Sequence, residues 1–174
     1  AAVRILVVDD EVDLASSCQR LLESRGYEVK VASAAEEALE EIPRLEPSLV
    51  ISDLKMPGMG GMQLLEQLHE NYPEIQVIMM TAYSTVEDAV EAMRLGAIDF
   101  VPKPFTPNHL TIVVEKALES AALREENRTL HQQLSRQYSF DNIIGKSSAM
   151  AQVFESIKKI AETNISVLVT GASG

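Results

Sequence analysis

The chain has 174 residues, of which 46% are hydrophobic, so it has room for one full domain with a large core and for additional material. Its formal net charge of -11 argues against nucleic-acid binding as its main function, because phosphate backbones usually bind to a basic face. The single cysteine, Cys18, excludes an intramolecular disulfide, and neither a membrane-spanning apolar run nor a signal peptide is recognisable. We therefore expect a cytoplasmic protein with no membrane partner.

Short apolar runs alternate with segments of helical period, which is typical of βα units around a parallel sheet. The predicted strands are Arg4–Asp9, Tyr27–Ala32, Ser48–Asp53, Ile75–Thr81 and Ile98–Val101. Each intervening helix carries one apolar stripe that we expect to pack onto the sheet; the stripes are Leu14, Cys18, Leu21 and Leu22, then Ala35, Ala38, Leu39 and Ile42, then Leu64, Leu65 and Leu68, and last Val86, Ala89, Val90 and Met93. Right-handed crossovers then predict an α/β fold of the flavodoxin-like (βα)5 type, a doubly wound parallel sheet whose ligands bind beyond the carboxyl ends of its strands.

One long helix is predicted from Pro107 to Gln137, because this segment contains no further Gly or Pro. Its first half has an apolar stripe that can cover the sheet. Its second half is more polar, with Leu123, Leu130 and Leu134 at heptad positions and Asn127 between them. Two interpretations remain open for this second half, a two-stranded coiled coil and the solvated end of an amphipathic helix.

A new pattern begins after Tyr138, with a turn and then a helix that has Ser147 or Ser148 as its N-cap. The stretch "NISVLVTGASG" predicts a buried strand that leads into a Gly-containing loop. Gly171 and Gly174 fit the start of a phosphate-binding loop of the type G-x-x-x-x-G-K-[ST], but its second Gly, its Lys and its hydroxyl residue would fall past Gly174. We expect no nucleotide binding from this incomplete loop.

Polar residues stand at the carboxyl ends of the predicted strands, namely Asp9, Asp10, Asp53, Thr81 and Lys103. Three carboxylates in one crevice repel each other, so a bound cation or raised pKa values must stabilise them. Mg²⁺ prefers such oxygen ligands, and Lys and Thr side chains can then bind phosphate oxygens. Each residue alone also has a structural interpretation: an aspartate as helix N-cap, Thr81 as a strand end, and Lys103 as a surface charge.

Four segments, "ILVVDDE", "LVISDLKMPGMGG", "VIMMTAYS" and "GAIDFVPKPF", resemble the signature segments of two-component response-regulator receiver domains, and the resemblance covers residues 1–121. Residues 107–138 resemble a last receiver helix that continues into a coiled-coil linker. Residues 139–174 resemble the truncated start of an AAA+ ATPase domain. The parent protein is thereby similar to a sigma-54-dependent transcriptional activator of the nitrogen-regulatory-protein-C type.

The resemblance implies a role for each strand-end residue. Asp53 is then the phosphoacceptor. Mg²⁺ is bound by Asp9, Asp10, Asp53 and the backbone carbonyl of Lys55. The phosphoryl oxygens are bound by Thr81 and Lys103, and Phe100 is the aromatic residue whose position is coupled to that of Thr81. The constrained loop after Asp53, with Pro57, Gly58, Gly60 and Gly61, would present the Lys55 carbonyl. The Lys103–Pro104 peptide bond is expected to be cis.

The resemblance also implies partners. These are a sensor histidine kinase, a second copy of the chain through the linker helix and the receiver face, and the AAA+ domain of the parent. Sigma-54 RNA polymerase and DNA would be reached only through domains outside this sequence. The chain would be a switch and not an enzyme, apart from its own phosphorylation and dephosphorylation. Ala172 stands where the family commonly has Glu.

Two other functions remain open. A haloacid-dehalogenase-like phosphatase also uses an Asp nucleophile with Mg²⁺, but it needs a second Asp two residues later, where this chain has Lys55. A constitutive dimerisation module with a vestigial acidic pocket would neither accept a phosphoryl group nor hydrolyse a phosphate ester.

Overall fold

The computed structural model describes residues 3–82, 85–137, 147–161, 166–168 and 170, and the chain divides into two compact units, Ala1–Asn127 and Arg128–Gly174. The first unit contains five parallel strands in the order β2-β1-β3-β4-β5. The strands are β1 Arg4–Val8, β2 Glu28–Ala32, β3 Leu49–Asp53, β4 Gln76–Thr81 and β5 Asp99–Pro102. The helices are α1 Val12–Glu23, α2 Ala35–Leu45, α3 Gly61–Asn71, α4 Val86–Arg94 and α5 Pro107–Gln137. This order confirms the predicted doubly wound fold, and each strand end lies within one residue of its predicted position.

Alternate residues of each strand pack on opposite sides of the sheet, which produces two cores. Leu6, Val50 and Met79 contribute to a core with α2 and α3, whereas Ile5, Ile51 and Val101 contribute to a core with α1 and α5. Because strands β1, β3 and β4 are covered on both sides, they are continuous apolar runs, as expected for a parallel sheet. The predicted stripes of α1, α2, α3 and the first half of α5 all pack onto the sheet.

The predicted packing of α4 is wrong. Val86, Val90 and Met93 are 77%, 61% and 49% exposed, and the buried residue of this helix is Ala92. At 100° per residue, the exposed side chains lie roughly 100–160° around the helix from Ala92. Helix α4 contacts β5, which is an edge strand, so a narrow alanine-lined face is enough to pack it. The apolar stripe of α4 therefore faces away from the sheet.

Helix α5 runs without interruption from Pro107 to Gln137, as predicted. Near the end of the first unit, Arg124 donates a hydrogen bond of 3.3 Å to Oε1 of the buried Gln76, while Leu123 is 59% exposed. The side chains of Asn127, Leu130 and Leu134 lie outside the described part of the structure. The predicted coiled-coil pairing of this segment thus stays a prediction.

In the second unit, α6 spans Ser148–Ala161, and the hydroxyl of Ser147 accepts a hydrogen bond of 3.3 Å from the Met150 amide, which confirms the predicted N-cap. Residues 166–168 and 170 have no regular secondary structure, and Leu168 is 86% exposed, so the predicted buried strand is not formed there. The described part of this unit contains no other strand with which such a segment could pair. Gly171 and Gly174 lie outside the described residues. Within the described ranges, no helix combines the length and hydropathy needed to span a membrane.

Candidate functional site

The carboxyl edge of the sheet brings together side chains from separate strands. Asp53 is the last residue of β3, Asp9 follows β1, and Lys103 follows β5. By strand alternation these three side chains belong to the side of the sheet that carries α1 and α5, since each lies an even number of residues beyond a core residue of that side. The register pairs Val8 with Ser52, which sets Asp9 beside Asp53. The predicted convergence is therefore a consequence of parallel strand pairing.

Three carboxylates form the acidic part of the site. One carboxylate oxygen from each of Asp9, Asp10 and Asp53 can be chosen so that the three lie within 4.8 Å of one another. Asp9 and Asp53 are buried, being 1% and 8% exposed, whereas Asp10 is exposed to solvent. The Glu11 amide donates a hydrogen bond of 2.9 Å to Oδ1 of Asp9. The N-cap of α1 is Glu11, so neither aspartate serves as the helix cap that the sequence also allowed.

Lys103 supplies the positive charge of the site. Its Nζ lies 2.6 Å from Oδ2 of Asp9 and 3.1 Å from Oδ2 of Asp53, and its side chain is only 12% exposed. Burial by itself lowers the pKa of Lys103, but the hydrogen bonds from its ammonium group to both carboxylates and their negative charges outweigh burial and raise that pKa. The cluster holds three carboxyl groups and one ammonium group, so its formal charge is negative. The site as built can still accept further positive charge.

Thr81 and Phe100 lie on the other side of the sheet from this ion cluster. Thr81 ends β4 and is 1% exposed, and its carbonyl accepts a 2.7 Å hydrogen bond from the Lys103 amide. Phe100 pairs with Met79 in the register and packs against the core that includes α2 and α3. Thr81 is two residues beyond Met79, so Thr81 and Phe100 share one side of the sheet. This placement is compatible with the coupling that the resemblance implies, which stays a prediction.

The loop between β3 and α3 is tightly packed against the end of β3. The Lys55 amide lies 3.5 Å from Oδ1 of Asp53. A Cβ atom at Gly61 would lie only 2.0 Å from the Asp53 carbonyl oxygen, so the start of α3 can approach the strand end only with Gly at this position. Gly58 has a φ of +77°, a conformation that favours glycine. Gly61 thus allows α3 to approach the end of β3 closely, whereas Gly58 allows the loop to turn.

A carboxylate outside the predicted set also contacts this loop. Oε1 of Glu36, in the first turn of α2, accepts a hydrogen bond of 3.1 Å from the Met59 amide. Sequence reasoning missed this contact because Glu36 belongs to a series of acidic residues that is typical of a solvated helix face. Its contact with a loop 23 residues away follows only from the path of the chain.

An open crevice of about 420 Å³ adjoins the ion cluster, and it is lined by Glu11, Leu14, Ala82, Lys103, Pro104 and Phe105. The peptide bond between Lys103 and Pro104 is cis, as predicted. The crevice gives a reactant access to the half-buried Lys103 from the side of α1.

The donor set suits Mg²⁺ on chemical grounds. Carboxylate oxygens are the hard ligands that this ion prefers, and the exposed position of Asp10 leaves room for the water molecules that Mg²⁺ usually keeps. The negative formal charge of the cluster favours the binding of a cation. Asp9, Asp10 and Asp53 therefore fit a divalent metal site. The direction of the Lys55 carbonyl stays a prediction.

Curated relatives match nearly the whole chain. The regulatory protein AtoC of Escherichia coli strain K12 is 37% identical over 171 residues, which make up 98% of this chain and 37% of AtoC. The DNA-binding transcriptional regulator NtrC of the same organism is 35% identical over 170 residues, covering 98% of this chain and 35% of NtrC. The chain thus spans little more than a third of the length of these relatives.

Solved structures agree with these relationships. A CheY-like receiver domain protein from Methanospirillum hungatei JF-1 superposes with a TM-score of 0.69 at 34% identity, covering 71% of this chain and 99% of that protein. NtrX from Brucella abortus, crystallised in complex with ATP, superposes with a TM-score of 0.71 at 36% identity, covering 94% of this chain and 36% of NtrX. The family described as the response regulator receiver domain matches residues 5–115. This chain belongs to the response regulator receiver domain family.

Proposed function

We propose that this receiver domain accepts a phosphoryl group on Asp53 from a sensor histidine kinase and thereby switches a sigma-54-dependent transcriptional activator. The observation that carries the proposal is the joining of Asp53, Asp9 and Lys103 at one strand edge, with Lys103 Nζ at 2.6 Å and 3.1 Å from the two carboxylates. An ion cluster with buried Asp9 and Asp53, a negative formal charge and an open crevice beside it is suited to phosphoryl transfer.

In the proposed reaction an Asp53 oxygen attacks the phosphorus of the donor in line. A new bond forms between that oxygen and phosphorus, the bond between phosphorus and the donor atom breaks, and the donor leaves with the electron pair. Lys103 exchanges part of its contact with Asp53 for the oxygens of the transferred group. Mg²⁺ bound to Asp9, Asp10 and Asp53, with the Lys55 carbonyl, would neutralise charge on those oxygens. Lys103 and the Thr81 hydroxyl then hold the phosphorylated side chain.

The switch would act through the opposite side of the sheet. When the Thr81 hydroxyl turns toward the phosphoryl group, space opens for the half-buried Phe100 ring to move inward. Phe100 lies on β5, the strand that α4 contacts, so its movement reaches the exposed stripe of Val86, Val90 and Met93. That surface would change its preference for a second receiver.

We also propose a domain order for the parent protein. Residues 1–121 would form the receiver, residues 107–138 its last helix and coiled-coil linker, and residues 139–174 the opening of an AAA+ ATPase domain. The NtrX relative crystallised with ATP supports ATP binding by the parent, and the name of NtrC supports DNA binding. Sigma-54 RNA polymerase would then be engaged by domains outside this sequence, in the cytoplasm. The 59% exposure of Leu123 supports pairing of linker helices in a homodimer.

An experiment with small phosphodonors separates this proposal from the two alternatives. The full chain is treated with acetyl phosphate and Mg²⁺, with beryllofluoride and Mg²⁺, and with p-nitrophenyl phosphate. A receiver forms an acid-labile phosphoprotein, changes its assembly state with beryllofluoride and leaves the monoester intact. Sustained monoester hydrolysis would instead support a phosphatase, and no response to any reagent would support a constitutive scaffold. Lys55, in place of a second catalytic Asp, argues against the phosphatase.

A further inference from the structure

The loop between β3 and α3 is held firmly at both ends. The Leu54 amide donates to the Met80 carbonyl at 2.8 Å, and the Gly61 amide donates to the Leu54 carbonyl at 3.0 Å. Met56, next to the predicted metal-binding carbonyl, is buried in the core. The backbone that these two anchors leave to be fixed runs from Lys55 to Gly60, and it includes the Lys55 carbonyl.

Glu36 contacts that remaining part of the loop. Its Oε1 accepts the 3.1 Å hydrogen bond from the Met59 amide, and a Cβ atom placed on Gly58 would lie 3.1 Å from the same oxygen. The carboxylate thus lies against the turn that Gly58 makes with its φ of +77°. Glu36 itself is exposed, but it projects from the first turn of α2, which packs onto the sheet through Ala35 and Ala38. A helix that is packed onto the sheet therefore presents the acceptor to the turn at Gly58.

We propose that Glu36 is a positioning residue for the metal site, one that fixes the loop so that the Lys55 carbonyl is already turned toward Asp9 and Asp53 before Mg²⁺ binds. This inference rests on the proposed function, because it requires that Lys55 contribute its carbonyl. The physical basis is preorganisation: a loop that is ordered in advance loses less conformational freedom when the ion binds. Glu36 does not touch the ion. It acts through the Met59 amide and the short segment between Met59 and Lys55.

The hydrogen bond and the charge of Glu36 can be separated by substitution. Glu36→Ala removes both, whereas Glu36→Gln keeps an acceptor oxygen of similar shape and removes the charge. Glu40→Ala is the matched control, because Glu40 is exposed about one turn later on the same helix. Asp9→Asn tests whether the measured binding occurs at the carboxylate cluster.

The test is titration of the full chain with MgCl₂ alone by isothermal calorimetry, together with amide hydrogen exchange at Met59 and urea unfolding. We expect Glu36→Ala to bind Mg²⁺ about threefold to tenfold more weakly and to exchange the Met59 amide faster by a similar factor. Glu36→Gln should recover most of the affinity, and Glu40→Ala should behave as the wild type.

Three results would overturn the inference, and they are distinguishable from one another. If Glu36→Ala binds Mg²⁺ within twofold of the wild type, the loop needs no support from α2. If Glu36→Gln is impaired as strongly as Glu36→Ala, the charge acts at long range and the hydrogen bond does not position the loop. If the wild type and Asp9→Asn bind Mg²⁺ equally, the proposed metal site itself fails, and the role of Glu36 fails with it. Urea unfolding identifies any variant whose weaker binding merely reflects lost stability.

Discussion

Replacing Lys103 by Met should destabilise the metal-free domain and should do so less when Mg²⁺ is present. The substitution preserves most of the side-chain volume but leaves Asp9 and Asp53 without their shared ammonium group, at 2.6 Å and 3.1 Å. Removing one partner from a fully buried ion pair costs about 3–5 kcal/mol. The Asp9 side chain is 0% exposed, but those of Lys103 and Asp53 are each 12% exposed, so we expect about 2–4 kcal/mol. At about 3–5 °C per kcal/mol for a domain of this size, Tm should fall by roughly 6–20 °C.

The second half of this prediction concerns the stabilisation of Lys103→Met by Mg²⁺. A ligand at a hundred times its Kd stabilises a protein by about 2.7 kcal/mol, and Lys103→Met should gain more than the wild type, because no ammonium group then competes for the carboxylate oxygens. The assay is urea and thermal unfolding with EDTA and with saturating MgCl₂, and the exposed Lys116→Met is the control. The reasoning is refuted if Lys103→Met is as stable as the wild type in EDTA. It is refuted equally if the loss of stability is the same with and without Mg²⁺.

Three further predictions concern the packing around the site, the buried thiol and the linker. Gly61→Ala should lower the free energy of unfolding in urea by about 3 kcal/mol or more, since its Cβ would lie 2.0 Å from the Asp53 carbonyl oxygen. The control Gly26→Ala, with φ +88° and open space around it, should lower it by only about 1–2 kcal/mol. Equal losses would contradict the close approach at Gly61. Burial raises the pKa of the Cys18 thiol from 9.0 to about 11; the charge of Asp9 adds to this effect and that of Lys103 opposes it. The thiolate population at pH 8 therefore falls about a hundredfold, and iodoacetamide should label Cys18 rapidly only after unfolding. Truncation after Ala122 should weaken self-association in sedimentation equilibrium, and a full chain that stays monomeric at high micromolar concentration would mean that the linker is a solvated spacer.

The strand-end residues could be predicted from the sequence because their positions depend on few choices. Once β1, β3 and β5 are recognised as parallel, Asp9, Asp53 and Lys103 are placed at the same carboxyl edge of the sheet, at a strand end or one residue beyond it. The stripe of α4 could not be placed in the same way. An apolar stripe specifies that a surface is available for packing, and the edge position of β5 decides that Ala92 packs there while Val90 faces away from the sheet.

Glu36 illustrates a second limit. Its contact with Met59 joins residues 23 positions apart, and no spacing or residue type in either segment signals it. The contact depends on the angle at which α2 crosses the sheet and on the turn made at Gly58, both of which are tertiary properties. Sequence patterns therefore locate residues that act through a shared strand edge better than residues that act through loop support.

The central claim, that Asp53 accepts the phosphoryl group, can be tested directly by mapping the modified residue. The full chain is phosphorylated with acetyl phosphate and Mg²⁺, and the acyl phosphate is reduced with borohydride, which converts a phosphorylated aspartate to homoserine. Peptide mass spectrometry then locates the homoserine. The account predicts homoserine at position 53 alone, and no acid-labile label in Asp53→Asn. The stability of Asp53→Asn without metal should not fall, because the substitution removes a negative charge from a cluster that has an excess of them. Homoserine at Asp9 or Asp10, or full labelling of Asp53→Asn, would contradict the account.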